Sequence, residues 1–496
     1  MINKERQAKA PLLDALANYR DQGVIRLHMP GHKGGRNLDP QVRELLGEKA
    51  FILDITGVEG MDDLHQPQGV IKASQELLAE AFGADQSYFL VNGTSSGVQA
   101  LLLALCNPGD KVVVPRNMHK SMIAGVIFSG AHPVFVTPTV SQKRGIAFGV
   151  TLDKIKQTLH MQPDIKGVLL INPTYYGTTT ELEQIKAFLQ QKNIPLLLDE
   201  AHGPHFYFHS DFPTPGLAAG ADGVAQGMHK LLGGLTQGSI LHLQGKALDQ
   251  RRLEASLRLL QSTSASYLLM ASLEGARRQM ALHGQELLTE ALHLARWARE
   301  EINTIPGLSC FGREARGVPG FVDLDETKLT ITVKELGLTG QQVEQILRYQ
   351  YNVQVELSDL YNILLMVTIG STEEDIARLL SGLRQIAARR KEFPANRELL
   401  ARAEELICET WVPELVILPR DAFFAPSRAV KLQEAVGEIS AEVVTAYPPG
   451  IPIICPGERI TAEIAAYLAL ITDAKLRISG PQDTSLEYIQ VVSCKA

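Results

Sequence analysis

The 496-residue sequence lacks the marks of membrane and secreted proteins. It contains no run of about 18 apolar residues, so no transmembrane helix is expected. Its start is charged, with Lys4, Glu5 and Arg6 in a row, whereas a secretory signal needs an apolar core near the N-terminus. These absences favour a soluble protein.

Cysteine is scarce and scattered along the chain. The five cysteines include no C-x-x-C pair, which argues against a thiolate zinc site and against a disulfide framework. This pattern is typical of the reducing cytosol, so we expect a cytoplasmic protein. The cysteines are Cys106, Cys310, Cys408, Cys455 and Cys494.

The sequence also has little excess charge and no basic block. Lysine and arginine together number 48, and aspartate and glutamate 55, which gives a net charge of −7. A mildly acidic chain of this kind is a poor candidate for binding nucleic acid or for polybasic attachment to a membrane. Its length allows about two to four domains.

Short β-branched runs alternate with amphipathic stretches between about residues 85 and 245. The runs at 168–171 and 196–198 are apolar on both faces, as expected of strands covered by helices on both sides. This alternation predicts a mostly parallel α/β sheet. The predicted strands are 88–91, 111–114, 133–136, 167–171, 194–199, 223–227 and 239–243, and the predicted helices 95–105, 121–128, 152–160 and 182–192.

A second block of mixed elements follows this region. It begins with a long helical pattern, and a charged stretch that ends at Pro394 indicates a linker. The last hundred or so residues are rich in turns. The predicted helices of the second block are 282–303, 341–349 and 373–389, and its predicted strands 329–333, 353–356 and 363–367.

A glycine turn lies between the first predicted strand and a helix. It contains Gly93, Thr94 and Ser95. Unpaired backbone N–H groups at a helix start, joined by hydroxyl groups, can hold a phosphate. The alternative is an ordinary N-cap turn in which Thr94 or Ser95 caps the helix.

Two further groups follow strands at their carboxyl ends, where ligands bind in open α/β sheets. Asp199 ends one apolar strand, and Lys230 follows another. Alone, the carboxylate indicates a helix cap or an ion pair, and the lysine a surface side chain. Pyridoxal phosphate enzymes are expected to carry, in this order along the chain, a phosphate-binding turn, an aspartate and a lysine. The reason is that the aldehyde of the cofactor needs a lysine and its pyridine nitrogen needs a carboxylate.

Motifs along nearly the whole chain make the sequence resemble the bacterial ornithine/lysine/arginine decarboxylases, in a short form without the extra N-terminal receiver-like domain. The resemblance covers about residues 5–465. The motifs that carry it are His28-Met29-Pro30-Gly31-His32-Lys33-Gly34, Gly60-Met61-Asp62-Asp63-Leu64-His65, Asn117-Met118-His119-Lys120-Ser121, Asp199-Glu200-Ala201-His202-Gly203, His229-Lys230, Gln261-Ser262-Thr263-Ser264-Ala265-Ser266-Tyr267, Pro419-Arg420-Asp421-Ala422-Phe423-Phe424 and Tyr447-Pro448-Pro449-Gly450.

The resemblance implies a fold and a division into domains. The fold is that of the aspartate aminotransferase-like enzymes (fold type I), in which a large domain has a mostly parallel seven-stranded sheet. A small α/β domain and a C-terminal α+β domain follow. We expect an N-terminal arm at 1–50, the cofactor domain at 51–285, the small domain at 286–393 and the C-terminal domain at 394–496.

The resemblance also implies roles for individual residues. Lys230 would bind the cofactor covalently, Asp199 would pair with its pyridine nitrogen, and His119 and Ala201 would lie on the two faces of its ring. Gly93, Thr94 and Ser95 would hold the phosphate. His202 and His229 would line the reaction side, and Thr263 or Ser264 would reach the phosphate in the partner subunit, which makes the active form a dimer.

Two positions depart from the family pattern. Gly227 stands where the family usually has serine, and Ala265 where it often has proline. The first change removes a hydroxyl donor to the phosphate, for which the backbone N–H of Gly227 partly substitutes, so Gly227→Ser is expected to tighten cofactor binding. The second changes only the rigidity of a loop.

Acidic groups are needed for the cationic end of the substrate, because a buried charge requires a partner. Glu458 and Asp63 are the leading candidates, and Asp62 and Glu59 are similar ones. Glu458 alternatively begins a helix, where an acid is favoured. The short spacing of His202, His205 and His209 also suits a zinc site. Since the cofactor already accounts for His202, the other two are interpreted as packing and no metal is expected.

The leading hypothesis is decarboxylation of a basic amino acid, with arginine, which gives agmatine for polyamine synthesis, as the first choice. Lysine and ornithine are the alternatives within the family. Transamination is a further alternative, although no arginine motif of the aminotransferase type is evident. An inactive regulatory relative is the third, and only Gly227 favours it.

Overall fold

The protein is described by a computed structural model over residues 3–406, 412–446 and 450–493. Cys408, Cys494 and the 447–449 part of the Tyr-Pro-Pro-Gly motif lie outside the described residues. The helices are α1 Lys4–Gln7, α2 Pro11–Asp21, α3 Pro40–Leu46, α4 Glu48–Leu53, α5 Val70–Phe82, α6 Gly93–Leu105, α7 Lys120–Ser129, α8 Leu152–Met161, α9 Leu182–Gln190, α10 Met228–Leu231, α11 Gln250–Leu260, α12 Tyr267–Asn303, α13 Gly340–Gln350, α14 Glu373–Ala388, α15 Arg397–Leu406, α16 Pro419–Phe424 and α17 Ala462–Asp473.

The strands are mostly short. They are β1 Gln86–Leu90, β2 Lys111–Pro115, β3 His132–Val136, β4 Val140–Ser141, β5 Ile146–Ala147, β6 Ile165–Ile171, β7 Thr178–Thr179, β8 Leu196–Asp199, β9 Gly223–Gln226, β10 Ser239–Leu243, β11 Ser309–Cys310, β12 Asp323–Leu324, β13 Lys328–Thr332, β14 Leu357–Ser358, β15 Asn362–Met366, β16 Ser427–Lys431, β17 Val444–Ala446, β18 Ile451–Ile454, β19 Ile478–Ser479 and β20 Tyr488–Val492.

Seven of these strands form one sheet in the order β1-β10-β9-β8-β6-β2-β3. Strand β9 pairs in parallel with β8, and β2 pairs in parallel with both β3 and β6. Strand β10 runs antiparallel to β1 and β9. The predicted α/β class and the mostly parallel seven-stranded sheet are confirmed.

The chain divides into two compact units, each made of several stretches of the chain. One unit contains Met1–Ala104, Leu197–Ser210 and Thr214–Leu288, and the other Leu105–Leu196, Asp211–Pro213 and Thr289–Ala496. The division into an arm and three domains at 50, 285 and 393 therefore stays a prediction.

In the first unit, glycines lie at the end of one helix and at the start of the next. Helix α5 ends at Gly83, whose φ of 75° suits a residue without a side chain. Helix α6 begins at Gly93, whose φ is 77°. The chain leaves β1 and enters α6 within two residues, Val91 and Asn92, so the helix N-terminus follows directly after the end of a strand.

The second unit contains a smaller sheet in the order β11-β13-β15-β14. One apolar cluster, which includes Leu329, Ile331 and Ile363, packs this sheet against α13 and α14. A separate cluster, which includes Val444 and Ile464, lies near the C-terminus among β16–β20 and α17. These clusters give the later part of the chain its own cores.

Two predicted elements of the second block differ from the structure. Residues 353–356 form no strand, and the strand β14 follows at Leu357–Ser358. The helix predicted from 282 begins at Tyr267, because the Ser266 hydroxyl accepts the N–H of Leu269 at 3.4 Å and so caps an earlier start. Among residues 3–406, 412–446 and 450–493, no helix is both long and apolar enough to cross a membrane.

Candidate active site

Lys230 lies in the short helix α10, which directly follows the carboxyl end of β9. Its Nζ is 2.9 Å from Nε2 of His202, which follows β8. Because β8 and β9 are parallel neighbours, their carboxyl ends lie at the same edge. The structure thus brings together two residues that the sequence predicts for one site.

Asp199 is the last residue of β8, and it is only 5% exposed. Burial raises the pKa of its carboxyl group, while the charge of Lys230 and the N–H of Ala201 act in the opposite direction. Its Oδ1 accepts the Ala201 N–H at 3.2 Å. A buried carboxylate of this kind is suited to holding a proton on a basic ring nitrogen.

The predicted phosphate cradle lies at the start of α6. Thr94 is buried, and its Oγ1 is 2.9 Å from Oγ of Ser239 at the start of β10. Ser95 is half-buried, and the Ser96 hydroxyl donates to the carbonyl of Gly93 at 2.8 Å. The N–H groups of this helix start suit an anion. Ser239 was missed because its pairing with Thr94 depends on how β10 returns into the sheet.

Gly227 lies between these groups, and the structure changes the expectation for it. Its N–H donates to the carbonyl of Ala201 at 3.3 Å. A Cβ at Gly227 would lie 2.9 Å from that carbonyl oxygen, 3.2 Å from Thr94 Oγ1 and 3.4 Å from Lys230 Cδ. The site is therefore a close cradle that a side chain at 227 would partly fill, and its residues fit a phosphate-bearing aldehyde.

We accordingly expect Gly227→Ser to leave cofactor binding unchanged or weaker, contrary to the sequence-based expectation. The reason is that the new Cβ would press against a backbone carbonyl, which has little freedom to move. Gly227→Ala is the matched control, since it adds the Cβ without the hydroxyl. Absorbance titration with pyridoxal phosphate measures both, and tighter binding by the serine variant than by the native chain would contradict the steric account.

The side chain of His229 is held by a backbone carbonyl just before β10. Its Nδ1 donates to the carbonyl of Gly238 at 2.9 Å. This bond assigns the ring proton to Nδ1. Thr263 is exposed.

His119 lies in the second unit, where it caps helix α7. Its Nδ1 accepts the Ser121 N–H at 3.2 Å and is 2.9 Å from the Ser121 hydroxyl oxygen. The ring is half-buried. Its orientation is thus fixed by the helix that it begins.

The two predicted substrate acids lie in different surroundings. Asp63 is exposed, and its Oδ1 accepts the N–H of His65 at 2.9 Å. Glu458 is fully buried, and its Oε2 accepts the Cys455 N–H at 2.7 Å and an Arg116 N–H at 3.2 Å. Burial raises the pKa of Glu458, and Arg116 opposes that shift. Glu458 Oε1 has no hydrogen-bond partner among the described residues.

A buried polar chain next to Asp199 was not foreseen from the sequence. Glu200 accepts hydrogen bonds from Gln226 Nε2 at 2.6 Å, the Tyr207 hydroxyl at 2.8 Å and the Gly216 N–H at 2.8 Å. His242 Nε2 donates to Gln226 Oε1 at 3.1 Å. Burial raises the pKa of Glu200 to about 7. Of these residues only Glu200 belongs to a motif noted in the sequence, and the pairing of β9 with β10 brings Gln226 and His242 together.

We expect Glu200 to make stability depend on pH. Its folded-state pKa of about 7 exceeds the ordinary value of 4.5. Its contribution is therefore fully present below about pH 4.5 and is lost as pH rises through about 7, by up to roughly 3 kcal/mol. Urea unfolding of the cofactor-free chain at pH 5 and 8 measures this, with Glu200→Gln expected to lose less stability than the native chain over that interval. Exposed Glu59→Gln is the control, and equal losses for the native chain and the Glu200 variant would refute the assignment.

Comparisons with known proteins place these residues in a family context. A family model described as Orn/Lys/Arg decarboxylase, major domain, matches residues 10–375, and one described as Orn/Lys/Arg decarboxylase, C-terminal domain, matches residues 402–483. The chain is 44% identical over 486 residues to an arginine decarboxylase of Bacillus subtilis (strain 168) and 42% identical over 486 residues to one of Bacillus anthracis, with 98% of each chain covered in both pairs.

A solved structure is also similar. The lysine decarboxylase LdcF of Francisella novicida matches with a TM-score of 0.82 at 22% identity, over 98% of this chain and 82% of that one. At this identity the match shows a shared fold.

Proposed function

Because the chain belongs to the Orn/Lys/Arg decarboxylase family, we propose that it binds pyridoxal phosphate and converts L-arginine to agmatine and CO₂. The observation that carries the chemistry is the 2.9 Å approach of Lys230 Nζ to His202 Nε2 beside the buried carboxylate of Asp199. The choice of arginine is supported by the two Bacillus relatives that carry that name.

The cofactor, when bound, supplies an electron sink for the pair of electrons left when a carboxylate departs. The chain would hold it through three groups. Lys230 would provide the amine for its aldehyde, Asp199 would keep its ring nitrogen protonated, and the start of α6 with Gly93, Thr94 and Ser95 would bind its phosphate. His119 and Ala201 are proposed for the two faces of its ring.

A proton must return to the substrate carbon after CO₂ leaves. His202, His229 and Lys230 are the proposed donors, and all three lie at the carboxyl ends of β8 and β9. The bond from His229 Nδ1 to Gly238 leaves Nε2 as the nitrogen that would exchange a proton. His202 is coupled to Lys230 through their contact, so a proton can pass between the two.

The cationic end of the substrate needs an acidic partner. A guanidinium is best matched by a planar carboxylate that accepts two hydrogen bonds, whereas an ammonium accepts a less rigid site. Asp63 and Glu458 are the proposed acids. Asp63 is exposed, whereas Glu458 already has an arginine partner and offers only Oε1.

The proposal is tested by measuring CO₂ release and amine products from arginine, lysine and ornithine with pyridoxal phosphate added. We expect agmatine from arginine as the main product, and less product from the other two. A higher kcat/KM with lysine or ornithine than with arginine would identify that amino acid as the substrate. Absence of CO₂ from all three, with cofactor bound, would contradict the decarboxylase assignment.

We also propose that the active form is a homodimer. The segment 24–46 exposes large apolar side chains, with Leu27 90%, Ile25 76% and Leu45 74% exposed. Such a concentration of exposed apolar surface favours a covering partner, and a second copy of the chain is the partner that the family resemblance implies. Thr263, which is exposed, is the residue proposed to reach the phosphate in the partner subunit.

The dimer is tested by sedimentation of the holoenzyme at micromolar concentration. We expect a mass of two chains, and we expect Leu27→Asp with Leu45→Asp to shift it toward one chain and to lower activity, because a charge in the contact must be desolvated. Exposed Leu259→Asp, on a different helix, is the matched control. A fully active single chain would exclude a shared active site.

A further inference from the structure

A buried ion pair lies behind the segment that carries His119. Arg116 directly follows β2, and its side chain is 7% exposed. Its Nη2 donates to Glu458 Oε2 at 3.2 Å and to the Ile453 carbonyl at 2.9 Å, and its Nη1 donates to Cys455 Sγ at 3.3 Å. All of its side-chain partners named here thus come from residues 453–458, at the end of β18 and in the turn after it.

The pair holds Arg116 in one place. A buried guanidinium without an acid is strongly unfavourable, and hydrogen bonds to three acceptors fix its direction. Although burial lowers it, the pKa of Arg116 is raised overall by the carboxylate of Glu458, so the guanidinium stays charged. Burial raises the pKa of the Cys455 thiol to about 12, so its sulfur accepts as a neutral group.

The backbone carries this constraint from Arg116 to His119. The Arg116 N–H donates to the Val136 carbonyl at 2.8 Å, and the Met118 N–H donates to the Pro115 carbonyl at 3.2 Å. Asn117 Nδ2 donates to the Phe148 carbonyl at 3.0 Å. His119 is then the cap of α7. Residues 115–119 therefore form a tight turn, anchored at one end by the ion pair and at the other by a helix.

From this geometry we propose that Glu458 is a positioning residue, which acts through Arg116 to fix the place of His119. The inference rests on the proposed function, in which His119 lies on the cofactor ring. It differs from the sequence-based role of Glu458, in which its carboxylate would contact the substrate. The C-terminal segment would then contribute to cofactor binding through the loop after β2.

A double-mutant cycle on cofactor affinity tests the coupling. Arg116→Met with Glu458→Gln removes both charges, and the new amide oxygen still accepts the Cys455 N–H. Absorbance titration with pyridoxal phosphate is made for this variant and for the native chain, each with and without His119→Ala. We expect His119→Ala to weaken binding about tenfold in the native chain and less than about twofold in the variant.

An equal loss in both backgrounds would overturn the inference, because it would show that the ion pair and His119 act independently. A raised KM for arginine in Glu458→Gln with unchanged cofactor affinity would also overturn it, in favour of a substrate contact. If the double variant fails to fold, Glu458→Asp keeps the charge at a shorter reach, and the same cycle applies. Glu404→Gln, in the exposed pair with Lys334, is the matched control and should show no coupling to His119.

Failure of the proposed function is distinguishable from failure of this inference. The cycle measures cofactor affinity, which does not require CO₂ release. A native chain that binds pyridoxal phosphate and decarboxylates none of the three amino acids would contradict the proposed reaction, and the coupling between Glu458 and His119 would still be measured.

Discussion

Lys230→Ala is expected to abolish both CO₂ release and the visible absorbance of lysine-bound pyridoxal phosphate. The amine of Lys230 lies against His202 beyond the carboxyl ends of β8 and β9. An alanine side chain has no nitrogen with which to bind the aldehyde. Activity should fall by several orders of magnitude, as for removal of other covalent catalysts. Absorbance spectra and CO₂ release of the purified variant, with cofactor added, are the measurements.

The matched control for this prediction is Lys246→Ala. Lys246 lies in the same unit and is exposed, so its removal should change neither spectrum nor activity. A Lys230 variant that kept the absorbance would show that another amine binds the cofactor. The assignment of the lysine would then be wrong, even if the reaction were right.

Asp199→Asn is expected to lower kcat by roughly 100-fold or more. A neutral amide cannot hold the proton on the ring nitrogen that makes the cofactor an effective electron sink. The amide should still accept the Ala201 N–H that Oδ1 accepts in the native chain, so we expect the fold to persist. Steady-state kinetics with arginine and the cofactor spectrum measure the effect.

Asp249→Asn provides the comparison for Asp199. Asp249 caps helix α11 by accepting the N–H groups of Arg251 and Arg252, and asparagine caps a helix about as well. That variant should keep full activity. An Asp199 variant with native kcat would mean that the carboxylate serves structure alone.

Much of the fold was predictable because its signals are local. The runs at 112–115 and 168–171 are apolar on both faces, and the structure buries them in interior strands of the sheet. The direction of β10 was not predictable, since its apolar pattern is the same whether it runs parallel or antiparallel to β9. The start of α12 was predicted 15 residues too late, and the structure has the Ser266 hydroxyl capping the earlier start.

The candidate site, like the fold, was predictable only in part. Asp199, His202 and Lys230 were predictable because strand ends and motif spacing mark them. Their geometry was not, since the 2.9 Å contact between His202 and Lys230 depends on how β8 and β9 are aligned. The sequence shows that Gly227 lacks a hydroxyl group, whereas only atomic positions show that a Cβ there would lie 2.9 Å from a backbone carbonyl oxygen.

The polar chain behind Asp199 has a consequence for how the sequence can change. Ser87 donates to His242 Nδ1 at 2.6 Å, His242 to Gln226, and Gln226 to Glu200, so one residue from each of three strands and one that follows β8 are linked in series. In this series each donor meets an acceptor of the next residue. Burial lowers the pKa of His242 to about 3, so its ring is neutral and has one donor nitrogen and one acceptor nitrogen. Replacing any one member leaves a buried polar atom of a neighbouring member without the hydrogen bond that it makes in this series. The four residues are therefore expected to be inherited as a set, exchanged together or not at all, although none of them is proposed to touch the substrate.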